Sequence, residues 1–240
     1  MKGIVLAGGS ATRLRPLTKI TSKQLLPVYN KPMIYYPIET LAKAGIKDIL
    51  IIVAPEYSGH FLNLLGSGEE FGVNFSYLVQ EAPRGLADAF IVGEDFIDNG
   101  DVAMILGDNI FEHDFTDSIQ SFKGGARIFA KKVPDPERYG VAEFDENKKV
   151  LSIVEKPEKP KSEYAVVGFY IYDKRVVEFA KSLKPSARGE IEIVDLHNKY
   201  RELGELDVNI IEGMWEDAGT FDSLLRVNNL VAEKVKAGEL

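Results

Sequence analysis

The first half of the chain alternates short, continuously apolar runs with longer amphipathic stretches. The runs 4–6, 49–53, 75–79 and 102–106 have the length of strands, and the stretches 36–44, 57–65, 86–93 and 115–122 have the spacing of helices. A strand that is apolar along its whole length is buried on both faces, which is typical of parallel sheets covered by helices. The alternation therefore predicts an α/β fold with a mostly parallel central sheet and a helical layer on each side.

The second half of the chain has a more mixed pattern. Runs 126–132, 141–144, 151–154, 166–172 and 208–211 indicate strands, and 190–203 and 221–236 indicate helices. The charged, proline-containing stretch 155–161 is typical of a loop within a domain and not of a linker. With 240 residues and no break in composition, the chain is expected to form a single domain, 1–240.

Composition excludes several classes of function. The net charge of −8 is unfavourable for non-specific binding of nucleic acid, which depends on basic side chains. The chain has no cysteine, so disulfides, thiolate metal sites and a cysteine nucleophile are excluded. No signal peptide is apparent, and no apolar run approaches the roughly 20 residues of a membrane span. We therefore expect a cytoplasmic protein without a membrane or nucleic-acid partner.

The strongest local feature is the segment 6–14, where the apolar run ends in Gly8 and Gly9 and an arginine, Arg13, follows. Small residues allow backbone N–H groups to approach a polyanion, and an arginine adds a bidentate contact to phosphate oxygens. The segment is neither Gly-x-Gly-x-x-Gly nor a P-loop. A tight strand-to-helix turn without a ligand is an equal alternative on spacing alone.

Two aspartates are candidates for a metal site. Asp108 directly follows the apolar run 102–106, which places it at the carboxyl edge of the sheet, where ligands of open α/β sheets bind. Asp217 lies in a stretch of small residues that we expect to be a loop before a helix. If the two met, they would form a divalent-cation site, although a helix-capping role remains open for Asp108.

Other charged residues are weaker candidates. Lys23 is expected in a loop between prolines, and Lys156 and Arg188 follow a strand and precede a helix, respectively. Each could bind a phosphate or be a solvated surface charge. The three histidines, His60, His113 and His197, lack the spacing of metal ligands and are interpreted as surface or capping residues.

Taken together, these segments resemble the nucleotidyl transferase family that makes nucleotide sugars. The resemblance extends over essentially the whole chain, and its motifs lie at 6–14, 22–27, 31–37, 106–109, 135–141, 155–157 and 184–190. Each motif alone is weak, but their number and order make chance similarity very improbable. The resemblance implies a Rossmann-like three-layer sandwich with a small sugar-binding β subregion. It also implies a nucleotide-binding part at about 1–125 and a sugar-phosphate-binding part at about 126–240.

The resemblance assigns roles to individual residues. The nucleotide would be bound by Leu6, Gly8, Gly9, Ala11, Thr12, Arg13, Lys23, Gln80, Gly85 and Leu86. The sugar phosphate would be bound by Asn109, Tyr139, Gly140, Glu155, Lys156, Val166 and Arg188. Asp108 and Asp217 would hold Mg²⁺, and Arg13, Lys23, Asp108 and Lys156 would be catalytic.

The activity implied by the resemblance is a direct in-line attack of glucose 1-phosphate on the α-phosphorus of dTTP, with Mg²⁺ as cofactor and pyrophosphate as leaving group. UTP is an alternative nucleotide, because Gln80 can pair with thymine or uracil. The family also implies a homo-oligomer. Two other functions are weaker alternatives. A non-catalytic nucleotide-sugar sensor is disfavoured because Arg13, Asp108 and Asp217, whose loss would indicate it, are all present. An oxidoreductase is disfavoured because the Gly-x-Gly-x-x-Gly motif is missing.

The chain departs from the family pattern at two places. Ala11 stands where the phosphate loop usually has glycine, and a methyl group restricts positive φ, so the loop could differ slightly in position. We expect function to survive, because an alanine needs no positive φ if the local turn is helical. The chain also stops soon after the helix predicted at 221–236, whereas longer relatives carry a further C-terminal helical segment that helps to form a regulatory nucleotide site. The sequence therefore leaves the presence of that site open.

Overall fold

The computed structural model describes residues 1–9 and 11–238, and its strands and helices alternate along the first half of the chain. The strands are β1 (Lys2–Ala7), β2 (Pro27–Val28), β3 (Lys31–Pro32), β4 (Asp48–Val53), β5 (Asn74–Val79), β6 (Val102–Leu106), β7 (Asn109–Phe111), β8 (Ala126–Lys132), β9 (Gly140–Phe144), β10 (Val150–Glu155), β11 (Tyr164–Tyr172), β12 (Leu206–Ile210) and β13 (Trp215–Asp217). The helices are α1 (Tyr35–Lys43), α2 (Ser58–Leu65), α3 (Asp88–Val92), α4 (Glu94–Ile97), α5 (Thr116–Gln120), α6 (Val176–Ser182), α7 (Ile193–Glu202) and α8 (Phe221–Ala237).

One large sheet runs through the centre of the described structure. Its order is β5-β4-β1-β6-β11-β8-β12, and the β9-β10 hairpin joins the first part of β11 beyond the end of β6. The pairs β4–β5, β1–β4, β1–β6 and β8–β12 are parallel. Strand β11 is antiparallel to β6, β8 and β9. The sheet is therefore parallel in its first half and mixed in its second.

Alternation along the central strands separates two hydrophobic layers. On β1, Ile4 and Leu6 face the layer that contains α3, α4, α6 and α7. Val5 and Ala7 face the opposite layer, which contains α1, α2 and α5. Since both faces of these strands are covered, the strands are apolar throughout, and the three-layer arrangement follows. None of the described helices has the length and apolar character that a membrane crossing requires.

A small two-stranded ribbon positions the residues that matter most. Strands β7 and β13 pair antiparallel, with Asn109 opposite Asp217 and Phe111 opposite Trp215. Helix α8 covers this ribbon through a separate cluster that includes Ile110, Ala218 and Val227. Thr220 caps the helix by accepting the backbone N–H of Ser223, and α8 starts at Phe221, four residues after Asp217.

The elements predicted from the sequence are present, but α4, α6 and the short β2–β3 ribbon were not predicted. Strand β5, which was predicted to be buried, lies at the edge of the sheet and is exposed or half-buried along its length. Helix α7 begins at Ile193 and not at 190, because the preceding residues form a loop that hydrogen-bonds to another loop. Asp217 lies at the end of a strand, β13, and not in a loop as expected. The pairing of β7 with β13 was not predicted, since each strand has only three residues and each depends on a partner about 100 positions away in the chain.

Candidate active site

Two adjoining cavities open at the carboxyl ends of β1 and β6. The larger has a volume of about 550 Å³ and the smaller about 220 Å³. Asp108, two residues beyond the end of β6, lines both of them, as do Leu86, Leu106 and Glu190. Ligands of open α/β sheets bind at this edge, so the two cavities form one site with two compartments.

The smaller cavity is built mainly from the first 108 residues. Leu6 lies near the carboxyl end of β1, and the loop after β1 contributes Gly8 and Gly9. The predicted residues found in this cavity are Leu6, Gly8, Gly9, Lys23, Gln80, Gly85, Leu86 and Asp108. Gln24 and Pro83 also line it, and sequence reasoning did not assign them a role.

Gln80 has a fixed side-chain orientation in the smaller cavity. It is buried, and its Nε2 donates to Oδ2 of Asp88 at 2.7 Å. Asp88, itself buried, also forms an ion pair with Nε of Arg84 at 3.2 Å. Because a carboxylate only accepts hydrogen bonds, the amide nitrogen must face Asp88, and the amide oxygen is left on the side of Gly8.

The larger cavity is built mainly from the second half of the chain. It contains the predicted residues Arg13, Leu86, Asp108, Asn109, Tyr139, Gly140, Glu155, Lys156, Val166, Arg188 and Asp217. Strand β11 contributes Val166, Gly168 and Tyr170, and helix α7 contributes Ile193, Val194 and His197. Strands and helices therefore form its floor, while the charged residues Lys156 and Arg188 lie at half-exposed positions on loops.

Asp108 and Asp217 lie close enough for each carboxyl group to shift the pKa of the other. The backbone N–H of Ala218 donates to the carbonyl of Asp108 at 3.0 Å, which ties the two segments together. Lys23 forms a short ion pair with Asp108. Oδ1 of Asp217 is buried and has no hydrogen-bond partner among the described residues.

The two carboxyl groups differ in acidity. Burial, and then the charge of Asp108, raise the pKa of Asp217 to about 6, although Lys23 and Arg13 oppose the rise. Burial also acts to raise the pKa of Asp108, but the charge of Lys23 and hydrogen bonds from Lys23 and Asn109 outweigh it and hold that pKa below its ordinary value. The site therefore concentrates negative charge that a cation would stabilise.

Asn109 holds Asp108 in place through a buried network. Its Nδ2 donates to Oδ1 of Asp108 at 3.0 Å, and its Oδ1 accepts from Nε1 of Trp215 at 2.7 Å and from the N–H of Gly168 at 3.1 Å. A Cβ on residue 168 would lie 2.6 Å from that oxygen, so only glycine allows this approach. The ring of Trp215 also packs against Tyr139, at 5.2 Å between centroids.

The cationic side chains of the larger cavity are paired with carboxylates. Arg188 donates to Glu192 through Nη2 at 2.9 Å and through Nε at 3.2 Å. Nζ of Lys156 lies 3.3 Å from Oε1 of Glu155. Lys156 has a positive φ of 43°, an uncommon conformation for a residue with a side chain and one that is enriched at functional sites.

The loops that border the two cavities are hydrogen-bonded to each other. The N–H of Ile191 donates to the carbonyl of Arg84 at 2.7 Å, and the N–H of Ala87 donates to the carbonyl of Ile191 at 3.2 Å. Gly85 lies between these bonds with φ 106°, and a Cβ there would be 2.4 Å from the carbonyl oxygen of Ile191. The position therefore requires glycine, and the two compartments share one rigid wall.

The donor set at the aspartate pair fits a hard divalent cation. Carboxylate oxygens suit Mg²⁺, and the partnerless Oδ1 of Asp217 is a free ligand position. No cluster of three or more acidic, histidine or cysteine side chains in the described part of the chain is arranged to hold a metal. Mg²⁺ is usually bound by one or two carboxylates and completed by water and substrate phosphates.

Comparison with known proteins decides the family. The model of the family "Nucleotidyl transferase" matches residues 2–234. The chain is 58% identical over 230 residues to a glucose-1-phosphate thymidylyltransferase from Neisseria gonorrhoeae, covering 93% of this chain and 80% of that protein. It is 52% identical over 236 residues to a glucose-1-phosphate thymidylyltransferase from Mycolicibacterium smegmatis, covering 96% and 82%. The chain belongs to the nucleotidyl transferase family.

Solved structures agree with this assignment. A Bacillus anthracis protein crystallised with a sucrose aligns with a TM-score of 0.92 and 49% identity, covering 96% of this chain and 94% of that one. A UDP-glucose pyrophosphorylase complexed with UDP-glucose aligns with a TM-score of 0.85 and 27% identity, covering 97% and 98%. The family and the α/β fold with a large central sheet, both predicted from the sequence, are confirmed.

Two predicted nucleotide-binding residues of this nucleotidyl transferase lie apart from the cavity walls. Ala11 and Thr12 do not line either cavity. The condition under which an alanine would fit without strain, a right-handed helical turn, is not met at Ala11, which has φ 44° and ψ 38°. Its carbonyl accepts both the hydroxyl of Thr18 at 2.8 Å and the N–H of Leu14 at 3.1 Å, and these bonds hold the left-handed conformation.

Several residues of the site were missed by sequence reasoning. Arg138 and Trp215 line the larger cavity. Arg138 directly precedes the assigned Tyr139, and Trp215 lies two positions before the assigned Asp217, so proximity in the sequence was a usable signal. His197 was interpreted as a surface or capping residue, which is wrong: it is fully buried and lines the larger cavity. It faces inward because α7 is amphipathic and places residues 193, 194 and 197 on one face.

The conformation of Ala11 leads to a stability prediction. An L-residue in the left-handed region costs about 1–2 kcal/mol, whereas glycine costs about 0.4–1 kcal/mol through the entropy of the unfolded chain. We expect Ala11→Gly to leave the free energy of unfolding unchanged or raise it by up to about 1 kcal/mol. The matched control is Ala42→Gly, inside α1, which should lower it by about 0.5–1 kcal/mol. Urea denaturation would contradict the prediction if both variants were destabilised equally.

Proposed function

We propose that the protein transfers a thymidylyl group from dTTP to glucose 1-phosphate, with release of pyrophosphate. The observation that carries this proposal is the pair of cavities that meet at Asp108, with Lys23 beside it. Two substrates whose phosphates must come together need two compartments with one shared point. The thymidylyltransferases among the relatives, at 47–58% identity, support the choice of reaction.

The smaller cavity suits a thymine or uracil base. Asp88 orients Gln80 so that its amide oxygen is available as an acceptor. Thymine and uracil present an N–H donor at N3, whereas cytosine presents an acceptor there, so this orientation favours the first two and disfavours cytosine. The loop containing Gly8 and Gly9 lines the same cavity as Gln80, and it is suited to bind the triphosphate. We therefore assign the nucleotide to the part of the chain at about 1–125.

Thymine is the base that the relatives favour. The thymidylyltransferases share 47–58% of their residues with this chain, whereas the UDP-glucose pyrophosphorylase shares 27%. UTP remains the alternative nucleotide, because it offers the same N3–H to Gln80. A direct comparison of the two nucleotides separates these possibilities.

The larger cavity suits the sugar phosphate. Lys156 and Arg188 are proposed to bind its phosphate, exchanging Glu155 and Glu192 for the ligand. Arg–phosphate contacts are frequently bidentate, and Arg188 already makes two parallel hydrogen bonds to Glu192. Tyr139, Gly140, Val166 and Asn109 then border the sugar ring. This assigns the sugar phosphate to the part at about 126–240.

In the proposed reaction an oxygen of glucose 1-phosphate attacks the α-phosphorus of dTTP, and pyrophosphate leaves from the opposite side. The main obstacle is repulsion between two polyanions, which Arg13, Lys23, Lys156 and Arg188 offset from both sides of the junction. Holding the reacting groups in line supplies up to about 7–11 kcal/mol of the barrier reduction. No side-chain nucleophile is required, because the sugar phosphate is itself the nucleophile.

We also propose Mg²⁺ as the cofactor, held by Asp108 and Asp217. When bound, it would neutralise charge on the nucleotide phosphates and on the leaving pyrophosphate. The roles of Lys23 and Asn109 are then to keep Asp108 ionised and correctly oriented. Assembly into a homo-oligomer and a cytoplasmic location stay predictions that derive from the family resemblance.

The proposed reaction is tested by measuring pyrophosphate release over a grid of nucleotides and sugar 1-phosphates. We expect dTTP with glucose 1-phosphate to give the highest kcat/KM, UTP to be weaker and CTP to be slower by at least about tenfold, since the acceptor of Gln80 finds no N3–H on cytosine. A preference for CTP or ATP would contradict the assignment of the smaller cavity. Release without any sugar phosphate would contradict the proposed nucleophile.

Lys156→Ala tests the assignment of the larger cavity. A charged hydrogen bond contributes about 1.5–3 kcal/mol, so we expect KM for glucose 1-phosphate to rise about 10- to 100-fold, while KM for dTTP changes less than about threefold. The matched control is Lys161→Ala, an exposed lysine paired with Glu143 and outside both cavities, which should leave both constants unchanged. Equal increases for both substrates in the Lys156 variant would refute the assignment.

A further inference from the structure

His197 is a buried polar residue without a partner. It lies on α7, on the face that lines the larger cavity, and its exposed fraction is 0%. Neither Nδ1 nor Nε2 has a hydrogen-bond partner among the described residues. Buried side-chain nitrogen atoms in native proteins nearly always have a hydrogen-bond partner. The lack of one at His197 therefore indicates a partner from outside the chain.

The surroundings of His197 define what that partner must be. The ring packs against Tyr170 at 5.0 Å and Tyr172 at 6.0 Å between centroids, and it lies nearly parallel to Tyr172, so both neighbours offer ring contacts. Burial lowers the pKa of His197 to about 3, which leaves the imidazole neutral. A neutral imidazole has one N–H donor and one acceptor nitrogen, so it suits a group that both donates and accepts.

A sugar hydroxyl has this chemistry. An ionised phosphate oxygen only accepts hydrogen bonds, so it could pair with the N–H of the imidazole but not with its acceptor nitrogen. The charged residues Lys156 and Arg188 line the same cavity and suit a phosphate better. His197 shares its helix face with the apolar side chains of Ile193 and Val194, which also line the cavity.

We propose that His197 hydrogen-bonds a hydroxyl group of the sugar 1-phosphate and thereby determines which sugars the enzyme accepts. This inference rests on the function proposed above, since it takes the larger cavity as the sugar-phosphate compartment. His197 is a specificity residue in this scheme and takes no part in the transfer of the nucleotidyl group.

The test uses glucose 1-phosphate and its 2-, 3-, 4- and 6-deoxy analogues with dTTP. For the unmodified protein we expect one analogue to have a kcat/KM at least about tenfold below that of glucose 1-phosphate, because it leaves the imidazole unpaired. In His197→Leu that discrimination should fall to less than about threefold, while KM for dTTP stays within about twofold. His197→Gln, whose amide also donates and accepts, should restore part of it.

Tyr200→Phe is the matched control. Tyr200 lies on the same helix and is fully buried, but it does not line the cavity, and its hydroxyl donates to Asp173 at 3.0 Å. Removing that hydroxyl should lower stability and leave the discrimination among deoxy sugars unchanged. If Tyr200→Phe and His197→Leu altered the discrimination equally, the effect would be one of packing, and the proposal would be overturned.

A second measurement needs no variant. In protein labelled with ¹⁵N-histidine, His60, His113 and His197 are the three histidines of the chain. We expect glucose 1-phosphate to shift the ring nitrogen signals of His197 and the critical deoxy analogue to leave them near their free positions. Unchanged discrimination in His197→Leu, or identical shifts with every analogue, would overturn the proposal. Active turnover of glucose 1-phosphate in the same assay would show that the proposed function itself had not failed.

Discussion

The antiparallel pairing of β7 with β13 is the contact on which the site depends. It joins Asn109–Phe111 to Trp215–Asp217 and so places two carboxyl groups, more than 100 residues apart in the chain, at one point. The parallel pairing of β1 with β6 brings the start of the glycine-containing loop to the same edge of the sheet. The two cavities therefore meet where these two pairings end, and their geometry follows from backbone hydrogen bonds.

Repulsive and attractive electrostatic interactions oppose each other where the two cavities meet. Burying two adjacent carboxylates is energetically unfavourable, and for this reason the pKa of Asp217 is raised. Lys23 and Arg13 offset part of the cost, and the Asn109–Trp215 network fixes Asp108 against the remaining repulsion. In the larger cavity Lys156 and Arg188 are paired with carboxylates. The proposed function requires phosphate groups to replace these partners and a cation to stabilise the aspartate pair.

Much of the fold could be predicted from the sequence because the central strands are buried on both faces, and this leaves a continuous apolar signature. The two-sided burial of Ile4, Val5 and Leu6 is an example. The ribbon of β7 and β13 could not be predicted, because three-residue strands carry no periodicity and their stability comes from a distant partner and from α8. The expected loop at Asp217 was wrong for this reason.

Some site residues could likewise be predicted from the sequence, and others could not. Family motifs indicated Asp108, Lys156 and Arg188, and the structure brings these three together around the cavities. The inward position of His197 depends on the face that α7 presents to β11, which a lone histidine in a polar stretch does not reveal. The left-handed conformation of Ala11 depends on the hydroxyl of Thr18, seven residues later, which closes the turn. Tertiary contacts decided both cases.

The central claim is that Asp108 and Asp217 together hold one divalent cation beside the nucleotide. Binding of Mn²⁺, followed by electron paramagnetic resonance in the presence of a non-hydrolysable dTTP analogue, tests it most directly. The account predicts one tightly bound Mn²⁺ in the unmodified protein and at least about tenfold weaker binding in both Asp108→Asn and Asp217→Asn. Exposed Asp207→Asn, 69% of whose side chain is accessible, should bind Mn²⁺ normally. Unchanged Mn²⁺ affinity in either of the first two variants would contradict the account.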